Sequence, residues 1–338
     1  MKEVLVAPGP KVQFIDSPIP KPGPDDVLIK VVVSGSNPKD WKVPNWRQTT
    51  VNQGDDMGGI VEAVGSNVFE FKPGDRVAGF HQFATPHGSF AEYAISPQHT
   101  TFHIPQKTTF EEAAAIPLAA MTAAVGLYTH TKLGLPQPWT PATEPLPLII
   151  YGAASSVGAY AVQLAQKSNI HPLICIAGKS QAYVETLIDR SKGDTIIDYR
   201  EGDDAVVEAL KKAAGNSKIL YAFDATSEQN SYVNISKVLA EGGKITTVLP
   251  PQNFEFPAHI SHTVTIVGSV HTDDKDFGYV YFRYFARGLQ EGWFKAQPQV
   301  VVPGGLGGIQ EALDNLKAGK ANGIKYVFRI AETEGLQQ

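Results

Sequence analysis

The chain is poor in cysteine. Cys175 stands alone among 338 residues, which excludes an internal disulfide and a thiolate-rich zinc site. Long apolar runs are missing too, and every run falls well short of the roughly 20 residues that cross a bilayer as a helix. The N-terminus, Met1-Lys2-Glu3-Val4-Leu5-Val6, begins as a strand and carries no signal-peptide core. There is no basic block: 29 Lys and Arg against 34 Asp and Glu leave a net charge of −5, so nothing calls for nucleic acid or an anionic membrane. Internal repeats and low-complexity tracts are also absent. What is present, 43% hydrophobic and 19% charged residues, predicts a cytoplasmic globular chain. Its length suits two domains, each able to bury its own core.

The first hundred or so residues read as β-rich and punctuated by turns. Asp26–Val33, Gly59–Gly65 and Arg76–Phe80 are expected strands, with Phe71-Lys72-Pro73-Gly74-Asp75 as a turn between the last two. From Ala113 to Tyr128 the composition turns Ala-rich with helical spacing, interrupted at Pro117. A Pro-rich loop over 133–147 follows. From Leu148 onward, strands (148–151, 172–177, 195–198, 220–224, 244–249 and 264–270) alternate with helices near 157–167, 180–190, 203–214 and 229–240. That alternation predicts an α/β, doubly wound parallel sheet. The C-terminal segment reads as helices around 279–292 and 308–318 and a last strand over 325–330, with no second small core. It is expected to return to the first domain, so that 1–125 and 275–338 form one discontinuous domain and 126–274 the other.

The stretch Leu148–Lys167 carries the most information. Four apolar residues run into Gly152, the small residues Ala153, Ala154, Ser155 and Ser156 follow, and Val157-Gly158 opens an amphipathic helix. A buried strand, a tight turn and a helix N-terminus suit a dinucleotide pyrophosphate, because exposed N–H groups and the helix dipole face the anion. Small-residue turns also join strands to helices for packing alone. At the end of the next strand, an NAD-binding sheet presents a carboxylate to the ribose hydroxyl. Here stand Gly178, Lys179 and Ser180, which favour the 2′-phosphate of NADP(H) or simply cap the next helix. Asp224, ending the fourth strand, either faces the cofactor or caps the turn after it. Leu249 and Val270, at the ends of the last two strands, complete this candidate set.

Gly35-Ser36-Asn37-Pro38-Lys39-Asp40, Gly58–Gly65, Lys72–Val77, Gly88-Ser89-Phe90-Ala91-Glu92-Tyr93, Ala113–Pro117, the glycine turn and Asp198-Tyr199-Arg200-Glu201 occur in order. Over nearly the whole chain this set resembles the medium-chain dehydrogenase/reductase superfamily. The resemblance implies a GroES-like β-rich catalytic domain, a Rossmann domain, and a nicotinamide held between them. Zinc alcohol dehydrogenases of the superfamily carry a cysteine where this chain has Asn37 and a Gly-His-Glu where it has Gly54-Asp55-Asp56. The structural-zinc lobe is missing, and His81, His87, His99 and His103 lack ligand spacing, so no metal is expected.

Among members without zinc, Asn37-Pro38-x-Asp40 is similar to both quinone oxidoreductases and enoyl reductases. Tyr199 matches a tyrosine near the 2′-phosphate in quinone reductases that use NADPH. The Pro-rich connector, Lys42 and Thr122 are similar to the stand-alone enoyl reductases that serve fungal polyketide synthases. That branch implies reduction of a carrier-bound 2-enoyl thioester, with a polyketide synthase as a partner and either a monomer or a homodimer. The alternatives are a quinone or free enone reductase, and a nicotinamide-binding scaffold without turnover. Lys42, Thr122 and Asn37 are the candidate catalytic residues. Each of the first two also reads as ordinary, Lys42 as a solvated loop lysine and Thr122 as back-bonded to its helix. Gly323 and Lys325, in a turn similar to the family's Gly-Lys turn, are expected to close over the cofactor. Trp41, Trp46 and Phe83 wall a pocket or belong to the core.

Overall fold

Apolar runs in the middle of the chain and alternating ones at its ends build two compact units in the computed structural model, which describes residues 1–336. One unit comprises Met1–Leu118 with Gly268–Gln338, and the other Ala119–Val267. Both seams fall slightly earlier than 125 and 274.

The first unit opens with an antiparallel ribbon, β1 (Lys2–Ala7) and β2 (Lys11–Asp16). The elements β3 (Asp26–Gly35), α1 (Lys39–Arg47), β4 (Asp56–Val64), β5 (Arg76–Phe80), β6 (Tyr93–Pro97), β7 (Thr101–His103) and α2 (Phe110–Ala114) follow. Thr109 starts α2 with a capping box, its hydroxyl accepting from the Glu112 N–H while Glu112 reaches back to the Thr109 N–H. Pro117 then opens α3 (Pro117–Tyr128), where proline suits the first helical position.

The second unit is a parallel sheet of β8 (Leu148–Tyr151), β9 (Leu173–Ala177), β10 (Thr195–Asp198), β11 (Tyr221–Asp224), β12 (Gly243–Thr247) and β13 (Ile260–Val264). Between them run α4 (Ser156–Lys167), α5 (Gln181–Glu185), α6 (Asp203–Ala214) and α7 (Ser231–Ser236). The spatial order is β10-β9-β8-β11-β12-β13. Strand order therefore reverses between β8 and β11, the switch point at which such sheets bind dinucleotides. Every residue of β8 and β9 is buried, as expected for strands covered on both faces.

The chain then returns to the first unit with α8 (Lys275–Glu291), β14 (Gln299–Val301), α9 (Ile309–Lys317) and β15 (Lys325–Arg329). Strand β15 pairs antiparallel with β3, with Val327 opposite Gly35 and Phe328 opposite Ser34. It thereby extends the sheet β14-β15-β3-β4-β5-β7, with β6 also on β3. Helix α8 buries Tyr281, Phe282, Phe285 and Leu289 along one face. Phe282 stacks on Phe102 with centroids 5.4 Å apart, and Phe285 stacks on Phe294 at 4.9 Å. These aromatics are packing residues.

Three elements differ from expectation. The strand expected over 264–270 lies earlier, as the edge strand β13, and Val267–His271 forms a 3-10 turn with Val270 fully buried. The helix expected over 180–190 stops at Glu185, and Arg190–Lys192 makes a separate turn under an Asp189 cap. The helix expected over 229–240 is confined to α7. Among the described residues, no helix is long and apolar enough to cross a membrane, and no group of three His, Cys, Asp or Glu residues could hold a metal ion.

Candidate active site

The glycine turn lies at the C-terminal end of β8, beside the switch point. Gly152 takes φ +75°, a conformation side chains resist, and a Cβ there would collide with the Thr226 hydroxyl. A Cβ on Gly158 would collide with the Gly152 carbonyl. The Gly152 and Ala153 N–H groups donate to Ile176 O at 3.0 and 2.9 Å, and that of Ser155 to Gly152 O at 2.8 Å. Ser155 caps α4, its hydroxyl accepting the Gly158 N–H at 3.0 Å. Its side chain is engaged within the helix, so the group that could meet an anion is the first-turn backbone around Ser156 and Val157. Ala154, Ser155, Ser156 and Val157 are half-buried. Narrow, small-residue and closed to any Cβ at two points, this cradle fits a pyrophosphate.

At the next strand end, the Tyr199 ring lies against Gly178, where a Cβ would sit 2.6 Å from its Cε1. Lys179 is exposed and makes no ion pair among the described residues. Ser180 precedes α5 without a capping bond from its side chain, so its hydroxyl is not committed to the helix. The nearby Arg200 is committed: its guanidinium grips Asp198 at 2.9 and 2.5 Å. Hydrogen bonds from that guanidinium pull the Asp198 carboxyl down to about 2.

Other cofactor candidates are placed differently. Asp224 is fully buried and caps its own turn, accepting the Thr226 and Ser227 N–H groups at 3.1 and 2.7 Å and the Ser231 hydroxyl at 2.5 Å. Burial, opposed by these bonds, pushes its carboxyl up to about 6. Of the two readings open for Asp224, these bonds are those of the cap. Val270 offers only a carbonyl, which meets His99 Nε2 at 2.9 Å, while its side chain lies in the core. Leu249 is half-buried just past β12, and Gly323 turns the chain at φ +67° before β15.

Lys325 is engaged within the protein: its ammonium is buried in a polar network, paired with Asp56 and donating to Asn37 Oδ1 at 2.9 Å. Asn37 Nδ2 donates to Asp56 Oδ2 at 2.9 Å, and the Asn37 N–H donates to Asp40 Oδ2 at 2.7 Å. The other oxygen of Asp56 accepts the Leu118 N–H, in the first turn of α3, at 2.6 Å. Beside this cluster, Lys39 Nζ meets Asp40 at 2.9 Å, Asp55 at 2.7 Å and Gln53 O at 2.7 Å. Burial pushes the Asp40 and Asp55 carboxyls up to about 6 even though Lys39 draws them down. Burial also works against the Lys39 ammonium, but the two carboxylates outweigh it and hold Lys39 protonated.

Sequence reading missed Lys39 and Asp56 as partners. The only signal was a lysine within Asn-Pro-Lys-Asp and two adjacent aspartates at a strand start. Lys42, on α1, is half-buried with its ammonium 5.4 Å from the Trp41 ring centroid. Thr122 is buried on α3. Trp46 is exposed, and the Phe83 ring lies under Lys39 and Arg47 at 5.3 and 5.0 Å.

The chain is 54% identical over 310 residues to trans-enoyl reductase fsr4 of Gibberella fujikuroi, covering 90% of this chain and 91% of that protein. It belongs to the medium-chain dehydrogenase/reductases. Trans-enoyl reductase resD of Aspergillus sclerotiorum is 30% identical over 97% of this chain and 99% of its own. Residues 23–106 match the alcohol dehydrogenase GroES-like domain family. A quinone oxidoreductase from Pseudomonas syringae pv. Tomato superposes with a TM-score of 0.74 at 21% identity, over 96% of this chain and 99% of its own. The first unit is thus the GroES-like part of a medium-chain dehydrogenase/reductase and the parallel sheet its Rossmann part. Members of this oxidoreductase superfamily bind a nicotinamide cofactor, and the Gly152–Gly158 cradle fits one.

Proposed function

We propose that the chain reduces an activated carbon–carbon double bond with NADPH, its substrate a 2-enoyl thioester carried by a polyketide synthase. The observation that carries this reading is the similarity to a named trans-enoyl reductase along nine-tenths of both chains. Nicotinamide supplies a hydride for the β-carbon. Negative charge then develops on the thioester oxygen, and each well-aimed donor to that oxygen typically lowers the barrier by about 2.7–4 kcal/mol. Asn37 and Lys42 are the donors assigned here, with Lys42 also able to deliver the proton that the α-carbon takes up. Thr122 orients the acyl oxygen or the nicotinamide. The carrier-bound substrate makes the synthase a partner in trans.

Preference for NADPH rests on Lys179 and Ser180, just past β9, and on Tyr199, just past the neighbouring β10; the carboxylate beside them, Asp198, is held by the Arg200 guanidinium. Lys179→Ala should raise the Kd for NADPH about tenfold, the loss of one charge-assisted contact, and leave that for NADH unchanged. Titration of intrinsic fluorescence with each cofactor measures both, and equal losses would refute the assignment. The substrate class is tested by NADPH oxidation with 2-hexenoyl-N-acetylcysteamine set against a simple quinone. Turnover of the thioester is expected. Turnover of the quinone alone, across a range of enoyl chain lengths, would make the protein a quinone reductase.

A further inference from the structure

The amide of Asn37 sits between opposite charges. An ammonium only donates and a carboxylate only accepts, so Lys325 beside one end and Asp56 beside the other fix which atom is oxygen and which is nitrogen. The plane of the amide is fixed with them. One Asn37 amide hydrogen goes to Asp56, and the other has no partner among the described residues. The Lys325 and Asp56 side chains are 2% and 0% exposed. Such a buried pair adds little stability over well-packed apolar residues of the same size, and an unmatched donor in a buried place is costly. Stability alone therefore gives no reason for this arrangement.

We propose that Lys325 is a positioning residue for the reduction. It holds the Asn37 carbonyl on its ammonium, so that the remaining Asn37 N–H points to the thioester oxygen as charge develops there. A cation on the carbonyl also draws electron density from the amide and strengthens that N–H as a donor. Asp56 completes the brace from the opposite end. The assignment rests on the enoyl-thioester reading above, and adds to it a residue 288 positions from Asn37 that acts through it.

The test is the charge-neutral double variant Asp56→Asn/Lys325→Met, which leaves no buried charge unpaired. With 2-hexenoyl-N-acetylcysteamine and NADPH, its kcat should fall about 10- to 100-fold, the scale of losing one aligned donor. KM and the Kd for NADPH should stay within about threefold, since the lost interaction acts only in the transition state. Adding Asn37→Ala to the double variant should cause little further loss, because the residues act through one donor. Unchanged kcat, or a loss that simply multiplies with that of Asn37→Ala, overturns the assignment while leaving the functional reading intact. No thioester turnover by the unmodified enzyme overturns both. Should the double variant fail to accumulate, Lys325→Gln is read by the same three criteria.

Discussion

Asp56→Ala is expected to destabilise the first unit by about 3–5 kcal/mol, the usual cost of stranding one member of a buried ion pair. The carboxylate has three partners: the buried Lys325 ammonium and Asn37 amide, and the half-buried Leu118 N–H. Alanine leaves the ammonium in a site where it is 2% exposed, and leaves the first turn of α3 short of an acceptor. For a chain of this size the loss corresponds to a fall in Tm on the order of 10 °C, measurable by calorimetry. Lys325→Met added to Asp56→Ala should recover most of it, because the stranded charge is then gone. A single-variant loss under about 1 kcal/mol would mean that water reaches Lys325 and that the pair is not truly buried.

The second large effect is acid lability through His271. This ring is 6% exposed, lies 4.8 Å from Phe80 and 5.8 Å from His99 by centroids, and among the described residues neither nitrogen has a partner in good hydrogen-bond geometry. Burial first, then the neighbouring His99, His81 and Lys275, push it down to about 3. The folded state thus holds His271 neutral. Its contribution is fully present above the unfolded value near 6.5 and is lost as pH falls from there towards 3. His81 and His99 are also lowered, chiefly by burial, and act in the same direction.

Asp40, Asp55 and Asp224, pushed up to about 6, act in the opposite one. Their contribution is present below about 4 and lost as pH rises through 6. Because the two sets oppose each other, the variant and not the whole profile isolates the histidine. His271→Phe should gain on the wild type by about 1.4 kcal/mol for each pH unit below 6.5, reaching on the order of 3 kcal/mol near pH 4. Urea unfolding at a series of pH values reads the difference directly. A gap between the two proteins that stays constant from pH 7 to pH 4 would show that His271 takes up its proton without unfolding.

How legible the molecule was depended on the range of the interactions. The central strands β8 and β9 were plain because both faces are buried, so their sequences are unbroken apolar runs. The edge strand β13 was missed for the converse reason. Ile-Ser-His-Thr-Val is only partly buried and lacks an apolar signal, while the more apolar run after it turns away, with Ile266 exposed and Val270 buried. The glycine turn could be read because its constraints are local: a left-handed residue, a small-residue turn and a helix cap within seven positions. Asp224 could not be decided from its neighbours, since a carboxylate before Thr-Ser suits a ligand and a cap equally. Ser231, a turn further on, makes the difference. The partners of Lys325 could not be read, because they lie 269 and 288 residues earlier and nothing in its own turn reveals them.

That separation has a consequence for how the protein is made. Asn37 and Asp56 emerge from the ribosome well before β15, which brings their cation 269 residues after Asp56. At ordinary elongation rates of about 5–20 residues per second, Asp56 waits roughly 15–50 s for Lys325. Through that interval the unpaired carboxylate stays hydrated, and the sheet around β3 and β4 lacks its neighbouring strand. The contiguous parallel-sheet unit has no such debt and can finish first. The nascent chain therefore carries a completed parallel-sheet unit alongside an open β-rich one, and chaperones would meet the exposed edge of β3 until β15 is made.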